Sequence, residues 1–268
     1  FTSSGTESIN LAIKGVARAY KDKGNHIITS AIEHHAVLHT CAYLQKHEGC
    51  NITYLESDEH GMINPEDLKK AITKETILAS ISYANNEVGS INNIAELVKI
   101  AHAHNVLFHT DACQAAAYLS LDTQALGVDL MTINGTKIYG PKGTGCLYKK
   151  QNTQLHPLLH GGGQENKFRS GTENVAGVVG FATALSLCQK EREQESRRLM
   201  KLRDKLAKGI LTAIPQTSLN GHPTNRLPNS VNITFKNIEG EILLLALDDH
   251  GIAASSGSAC ASQSKDPS

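Results

Sequence analysis

The chain has 268 residues, enough to bury a full core and to hold one large domain or one and a half. Lys+Arg and Asp+Glu both total 26 and no block of like charge stands out, which argues against a nucleic-acid footprint or an anionic-membrane surface. The longest apolar run, 242–247, is far too short to span a bilayer, and the six cysteines show no paired metal spacing, so a soluble protein with free thiols in a reducing, cytoplasmic compartment is expected, or an organellar one if a targeting segment precedes Phe1.

Strand-like and helix-like runs alternate over the first two thirds, which predicts a parallel sheet covered by helices. After the Ser4-Gly5-Thr6 turn, residues 7–23 read as a helix, 26–30 as a strand, 35–47 as a helix stopped near Gly49, and 51–55 as a strand. A short helix over 68–72, a strand over 77–83 and a helix over 94–104 follow, then strands over 106–110, 128–133 and 145–148. From Val175 to about Ile210 the spacing is helical, and the charged stretch 189–198 reads as a solvated face joining two domains. Residues 230–235 read as a strand, 240–248 as a helix and 252–254 as a strand edge opening a smaller domain, which divides the chain into 1–190 and 191–268.

The segment from Met131 to Gly143 delivers Lys137 from an apolar run into a small-residue turn. A lysine at the end of a core strand is expected to be partly desolvated, which makes its amine a nucleophile toward carbonyl carbon, whereas Lys142 reads as a solvated surface charge. Upstream, a second apolar strand ends in Asp111, with Gln114 about one helical turn later. A lysine for an aldehyde and an acid for a ring nitrogen are the pair that pyridoxal phosphate needs, although Asp111 would serve equally as a helix cap. Ser4-Gly5-Thr6 precedes a helix, so its amides and the Thr6 hydroxyl can face an anion, or simply form an N-cap. His35 and His39 have helical spacing, but no Glu lies between them in the zinc pattern and no third ligand matches, so no metal is expected. Cys260 lies in a small-residue loop without an apolar anchor, which suits a mobile nucleophile; Cys41, Cys113, Cys146 and Cys188 lie in apolar patterns that suit inert packing.

The segments Phe1 to Ser8, Glu33 to Val37, Asn85 to Gly89, His109 to Gln114, the Lys137 turn, Arg169 to Asn174 and Ser255 to Cys260 closely resemble, in this order, the cysteine desulfurases that supply sulfur for iron–sulfur clusters. The resemblance spans the chain and implies the type I pyridoxal-phosphate fold, a mainly parallel seven-stranded sheet followed by the start of a smaller α+β domain. That family carries further segments before the Phe1 motif and after the Cys260 loop, so the sequence reads as an internal fragment or an unusually short member. The implied reaction takes L-cysteine to L-alanine with pyridoxal phosphate.

The same resemblance implies the residue roles. Lys137 is the Schiff-base lysine and later moves protons; His34 stacks on the ring and assists proton transfer; Asp111 pairs with the ring nitrogen. Gln114 and Asn86 lie near the ring oxygen, and Gly5, Thr6, Asn134 and Thr136 near the phosphate. Most relatives have serine and histidine where this chain has Asn134 and Thr136, but both of these still donate hydrogen bonds. Thr172 contacts the phosphate of the neighbouring subunit, which implies a homodimer, and Cys260 takes the sulfur as a persulfide for an acceptor protein such as an iron–sulfur scaffold. The alternatives are a selenocysteine lyase or aminotransferase on the same fold, or a non-catalytic subunit, because no position matches the family's substrate-carboxylate arginine.

Overall fold

A computed structural model describes residues 1–257. Helix α1 (Gly5–Ala19) begins where the Ser4 hydroxyl accepts the Glu7 amide, and Glu7 places an acid in the first turn. It starts before the expected 7–23 span and ends sooner, because the Lys23 amide turns back to the Tyr20 carbonyl. Strand β1 (His26–Ser30), helix α2 (His35–His47) and strand β2 (Asn51–Leu55) follow as expected. Helix α3 (Pro65–Ala71) starts ahead of the expected 68–72 because Asn64 accepts the Glu66 amide and Pro65 fills the first helical position, where no amide is needed.

Strand β3 (Thr76–Ser80), helix α4 (Ile94–Ala103), strand β4 (Leu107–Asp111), the short helix α5 (Thr123–Leu126), strand β5 (Leu130–Asn134) and strand β6 (Gly145–Lys149) complete the main unit. The sheet order is β2-β1-β3-β4-β5-β6, all parallel except β6, which runs antiparallel to β5. Among the described residues six strands pair in this sheet, where seven were expected, and next to β6 there is a single antiparallel bridge between Thr2 and Gly145.

Both faces of the sheet are covered, which explains why its inner strands are apolar without strict alternation. Successive residues point to opposite sides: Ile27, Leu78 and Leu130 pack with Ile9, Ile13, Val16 and Leu44 of α1 and α2. Ile28, Ala79, Phe108 and Met131 pack on the other side with Leu97 and Val98 of α4. Each of the fully buried Leu, Ile, Phe and Met side chains contributes roughly 1.5–3 kcal/mol, so both faces anchor the parallel strands.

Helix α6 (Val175–Ala213) is a continuous 39-residue helix containing the expected charged face. After it, β7 (Thr217–Leu219) pairs antiparallel with β8 (Ile233–Phe235), and α7 (Gly240–Asp249) follows. Among the described residues, 252–254 form no strand, where a strand edge was expected; that segment follows the close of α7. Buried Arg226 donates from Nη2 to the Val88 carbonyl at 3.0 Å, joining this smaller unit to the loop after β3. Among the described residues, no helix is long and apolar enough to cross a membrane.

Candidate active site

The chain leaves the carboxyl ends of β1, β3, β4 and β5 along one edge of the sheet, and each exit carries residues of one pocket. His34 follows β1; Ser82, Ala84 and Asn86 follow β3; Asp111 ends β4, with Cys113 and Gln114 after it; Asn134 ends β5, with Lys137 after it. Gly5, Thr6 and Ile9 at the start of α1 complete the wall, around a cavity of about 560 Å³ including its open mouth. Ligands of open α/β sheets bind beyond the carboxyl ends of the strands because loops there can vary while the strands hold their starting points.

The lysine turn is fixed by its own backbone. Gly135 to Ile138 form a single 3₁₀ turn that closes at Tyr139, which lies in the left-handed region at φ 60°. The Gly140 amide donates back to the Gly135 carbonyl at 2.9 Å, and a side chain at Gly135 would collide with the Thr144 hydroxyl. Lys137 thereby reaches the pocket, but it is exposed, which corrects the expectation of a desolvated amine: it sits one turn beyond the strand, not at the buried end.

Asp111 is buried and lines the pocket, and its Oδ1 accepts the Cys113 amide at 2.9 Å; the segment that follows, 113–118, is a turn, so there is no helix for it to cap. His34 is half-buried. Its Nδ1 accepts the Ala36 amide at 3.1 Å at the start of α2, which assigns the neutral ring's proton to Nε2. Burial holds this imidazole below its usual range; Asp111 draws it back up, while His35, Lys137 and His39 push it further down.

At the other end of the pocket, the N-terminus of α1 meets the end of β5. Gly5 is required by this contact: a Cβ there would sit 2.9 Å from the Cys113 sulfur and 3.2 Å from the Asn134 Cβ. Asn134 Oδ1 accepts the Thr136 amide at 3.3 Å, leaving its Nδ2 as a donor. Thr6 lines the pocket, whereas Thr136 is exposed beside it and Thr172 lies exposed in the turn after Arg169, outside the pocket walls.

Cys113 was expected to be packing alone, but it lines the pocket. Its thiol is enclosed although the residue is partly exposed, and burial and the nearby Asp111 carboxylate push it well above the usual thiol range. The only available sequence signal was its position two residues after Asp111. Cys260 lies outside the described residues. Among the described residues no group of three or more His, Cys, Asp or Glu side chains is arranged to hold a metal ion.

The class-V aminotransferase family matches residues 1–267 of this chain. The cysteine desulfurase IscS of Methanosarcina thermophila is 54% identical over the whole chain, which covers 66% of that relative. The IscS desulfurase of Dictyoglomus turgidum is 52% identical, with all of this chain and 68% of that relative covered. The chain belongs to the cysteine desulfurases. It thus spans about two thirds of the length of these curated relatives. The backbone agrees with solved structures: a NifS-like protein superposes with a TM-score of 0.91 at 37% identity, over 95% of this chain and 70% of its own. SspA in complex with cysteine superposes at 0.81 and 33% identity, over 97% and 72%. The desulfurase resemblance read from the motifs is therefore correct, as is the type I fold.

Proposed function

We propose that the protein converts L-cysteine to L-alanine with pyridoxal phosphate and passes the sulfur to Cys260 as a persulfide. The observation that carries this reading is the convergence of Lys137, Asp111, His34, Gln114, Asn86 and the α1 N-terminus on one pocket. The donor set fits the cofactor: an amine for its aldehyde, a buried carboxylate for a ring nitrogen, and at the opposite end a helix N-terminus with the Thr6 hydroxyl and the Asn134 amide for a phosphate. When bound, pyridoxal phosphate supplies an electron sink for the carbon next to the substrate's amino group.

The chain's own groups do the rest. Asp111 holds a positive charge on the facing nitrogen, since an opposite charge favours the charged form. Lys137, exposed at the rim, is the amine that would hold the cofactor's aldehyde and the base that would take the substrate proton. His34 presents Nε2–H as a donor; it takes a further proton only at Nδ1, by giving up the Ala36 amide. Gln114 and Asn86 supply amides to the ring oxygen, and Thr172, exposed on its turn, serves the phosphate of a second subunit in a homodimer. The Cys260 thiolate attacks the substrate sulfur; the new S–S bond replaces the C–S bond, whose electron pair stays with carbon and is protonated to give the methyl group of alanine. A sulfur-acceptor protein then removes the outer sulfur, restoring the thiol.

The test is incubation of the full-length protein with L-cysteine, with alanine and protein-bound sulfur measured together. Equal amounts of both are expected. Amino transfer to a keto acid, or selenocysteine turnover without cysteine turnover, would overturn the reading in favour of another activity on this fold.

A further inference from the structure

Behind the wall formed by His34 and Asp111 lies a carboxyl group to which the reaction assigns no part. Glu33 is only 5% exposed, and its side chain is fully enclosed between the end of β1 and the segment after β3. Its Oε1 accepts the Ser30 hydroxyl at 2.9 Å and the Ser82 amide at 2.8 Å, while its Oε2 is buried without a hydrogen-bond partner. Ser82 lines the pocket, and the next residue, Tyr83, donates its amide to the Asp111 carbonyl at 2.9 Å. Glu33 thus holds two pocket segments to each other: its own backbone leads into His34, and its side chain grips the strand extension that hydrogen-bonds Asp111.

A carboxylate anion in this place is costly. No cation lies within ion-pair distance of it among the described residues, and one oxygen has lost water without replacement. The charged or titratable groups that face it make matters worse, since Asp111 from β4 repels an anion there and Cys41 from α2 is a neutral thiol, itself pushed up to about 12 by burial. Among the described residues, the donors it meets come from Ser30 and Ser82 alone, with the Ser30 hydroxyl at 2.9 Å and the Ser82 amide at 2.8 Å.

We propose that Glu33 is a positioning residue that works as a neutral, protonated acid, holding the His34 and Asp111 segments in register, and that its ionisation releases them. This rests on the reading of the pocket given above. Burial raises the Glu33 carboxyl to about 7, against the lowering by the Ser82 and Ser30 contacts, so the release falls near neutral pH. An ionised Glu33 must draw water toward Oε2 or swing away, and either movement shifts Ser82 and the His34 backbone. A misplacement of about 1 Å at a reacting centre costs on the order of a hundredfold.

The test compares the full-length wild type with Glu33→Gln, an isostere of the protonated acid, and with Glu33→Ala. In cofactor-free protein, the infrared C=O band of a protonated carboxyl should persist to about pH 7 in the wild type and be missing from Glu33→Gln. Because the folded group binds its proton more tightly than the unfolded one, the wild type's melting temperature relative to Glu33→Gln should fall as pH rises from the ordinary carboxylate range to about 7, then level off. In the loaded enzyme, Glu33→Gln should keep neutral-pH turnover to within about twofold and lack the alkaline decline of kcat, while Glu33→Ala should lose roughly a hundredfold in kcat with little change in KM. A Glu33 carboxyl that ionises in the ordinary range, or Glu33→Gln inactive at neutral pH, would overturn the proposal. If Glu33 titrates near neutrality in the cofactor-free protein but cysteine is not turned over, the functional reading of the pocket fails and the proton state of Glu33 stands.

Discussion

The Glu7 carboxylate and the Arg169 guanidinium meet at 2.9 Å, tying the first turn of α1 to the turn that carries Thr172. Ser3 also donates its amide to Glu7 Oε2 at 2.9 Å, so a single carboxylate joins the N-terminal segment, the phosphate end of the pocket and the turn proposed to serve a second subunit. Partial burial works against the charge, but the Arg169 and Ser3 hydrogen bonds outweigh it and hold the Glu7 carboxyl below its usual range.

Breaking this pair should therefore be felt at both sites. Glu7→Gln is expected to cost about 1 kcal/mol or less at neutral pH, since both groups keep some contact with water. A folded carboxyl held low adds stability above the unfolded value and loses it as pH falls through the folded one, so the gap between wild type and Glu7→Gln should close in acid. A double-mutant cycle with Arg169→Ala, read by urea unfolding, checks this: strictly additive effects would show that the pair contributes nothing.

Lys137 is the only lysine lining the main pocket among the described residues. The purified full-length protein is expected to be yellow, and borohydride should fix the cofactor onto Lys137. Lys137→Ala should bind no cofactor covalently and turn over no cysteine. Peptide mapping that places the adduct on Lys142, which is exposed beyond the turn, would remove the assignment.

Thr172→Ala is expected to weaken cofactor binding only within a dimer. Mixing Thr172→Ala subunits with Lys137→Ala subunits should restore one composite site per heterodimer, seen as partial recovery of activity. No recovery, with subunit exchange confirmed by mass spectrometry, would place Thr172 in its own chain's site.

His109 sits fully buried in β4, between the Ser80 hydroxyl at 2.8 Å and the Thr132 hydroxyl at 2.9 Å, and burial depresses it to about 3. A histidine depressed on folding stabilises fully above its unfolded value near 6.5, and this is lost as pH falls toward 3; the shift amounts to on the order of 5 kcal/mol. His109→Gln, neutral at every pH, should be less stable than wild type at pH 7 by roughly 1–3 kcal/mol and should close that gap on acidification. Urea unfolding of both proteins at several pH values measures the difference; a constant gap would mean that His109 does not titrate on unfolding.

The parallel sheet was legible because β1, β3, β4 and β5 are short apolar runs separated by helical periodicity, and their carboxyl ends carried Glu33, Asn86, Asp111 and Lys137 in one sequence order. What the sequence did not show was depth. Lys137 and Asp111 both end apolar strands, yet the carboxylate is buried and the amine exposed, because one 3₁₀ turn intervenes before the lysine. Nothing in the sequence distinguishes Glu33 as buried; the packing of the β1 end against the segment after β3 encloses it. The start of α3 was missed because Asn64-Pro65 lies outside the apolar periodicity that marked the helix.

The sulfur-carrying step separates two kinds of cysteine. Burial pushes the thiols of Cys41, Cys50, Cys113, Cys146 and Cys188 upward, which keeps them protonated and poor nucleophiles near neutral pH. Cys113 is the demanding control, since it lines the pocket yet its thiol is raised by burial and by Asp111. Cys113→Ser is expected to cost on the order of 1 kcal/mol of stability and to leave sulfur transfer intact. Cys260→Ser should retain the cofactor, because none of the pocket groups is altered, but lose persulfide and sulfide production: serine stays protonated and is a poor nucleophile toward sulfur. Mass spectrometry of the full-length protein after L-cysteine treatment decides between them. An added sulfur atom on Cys260 is expected; an added sulfur on Cys113, or wild-type sulfur release by Cys260→Ser, would remove Cys260 as the acceptor.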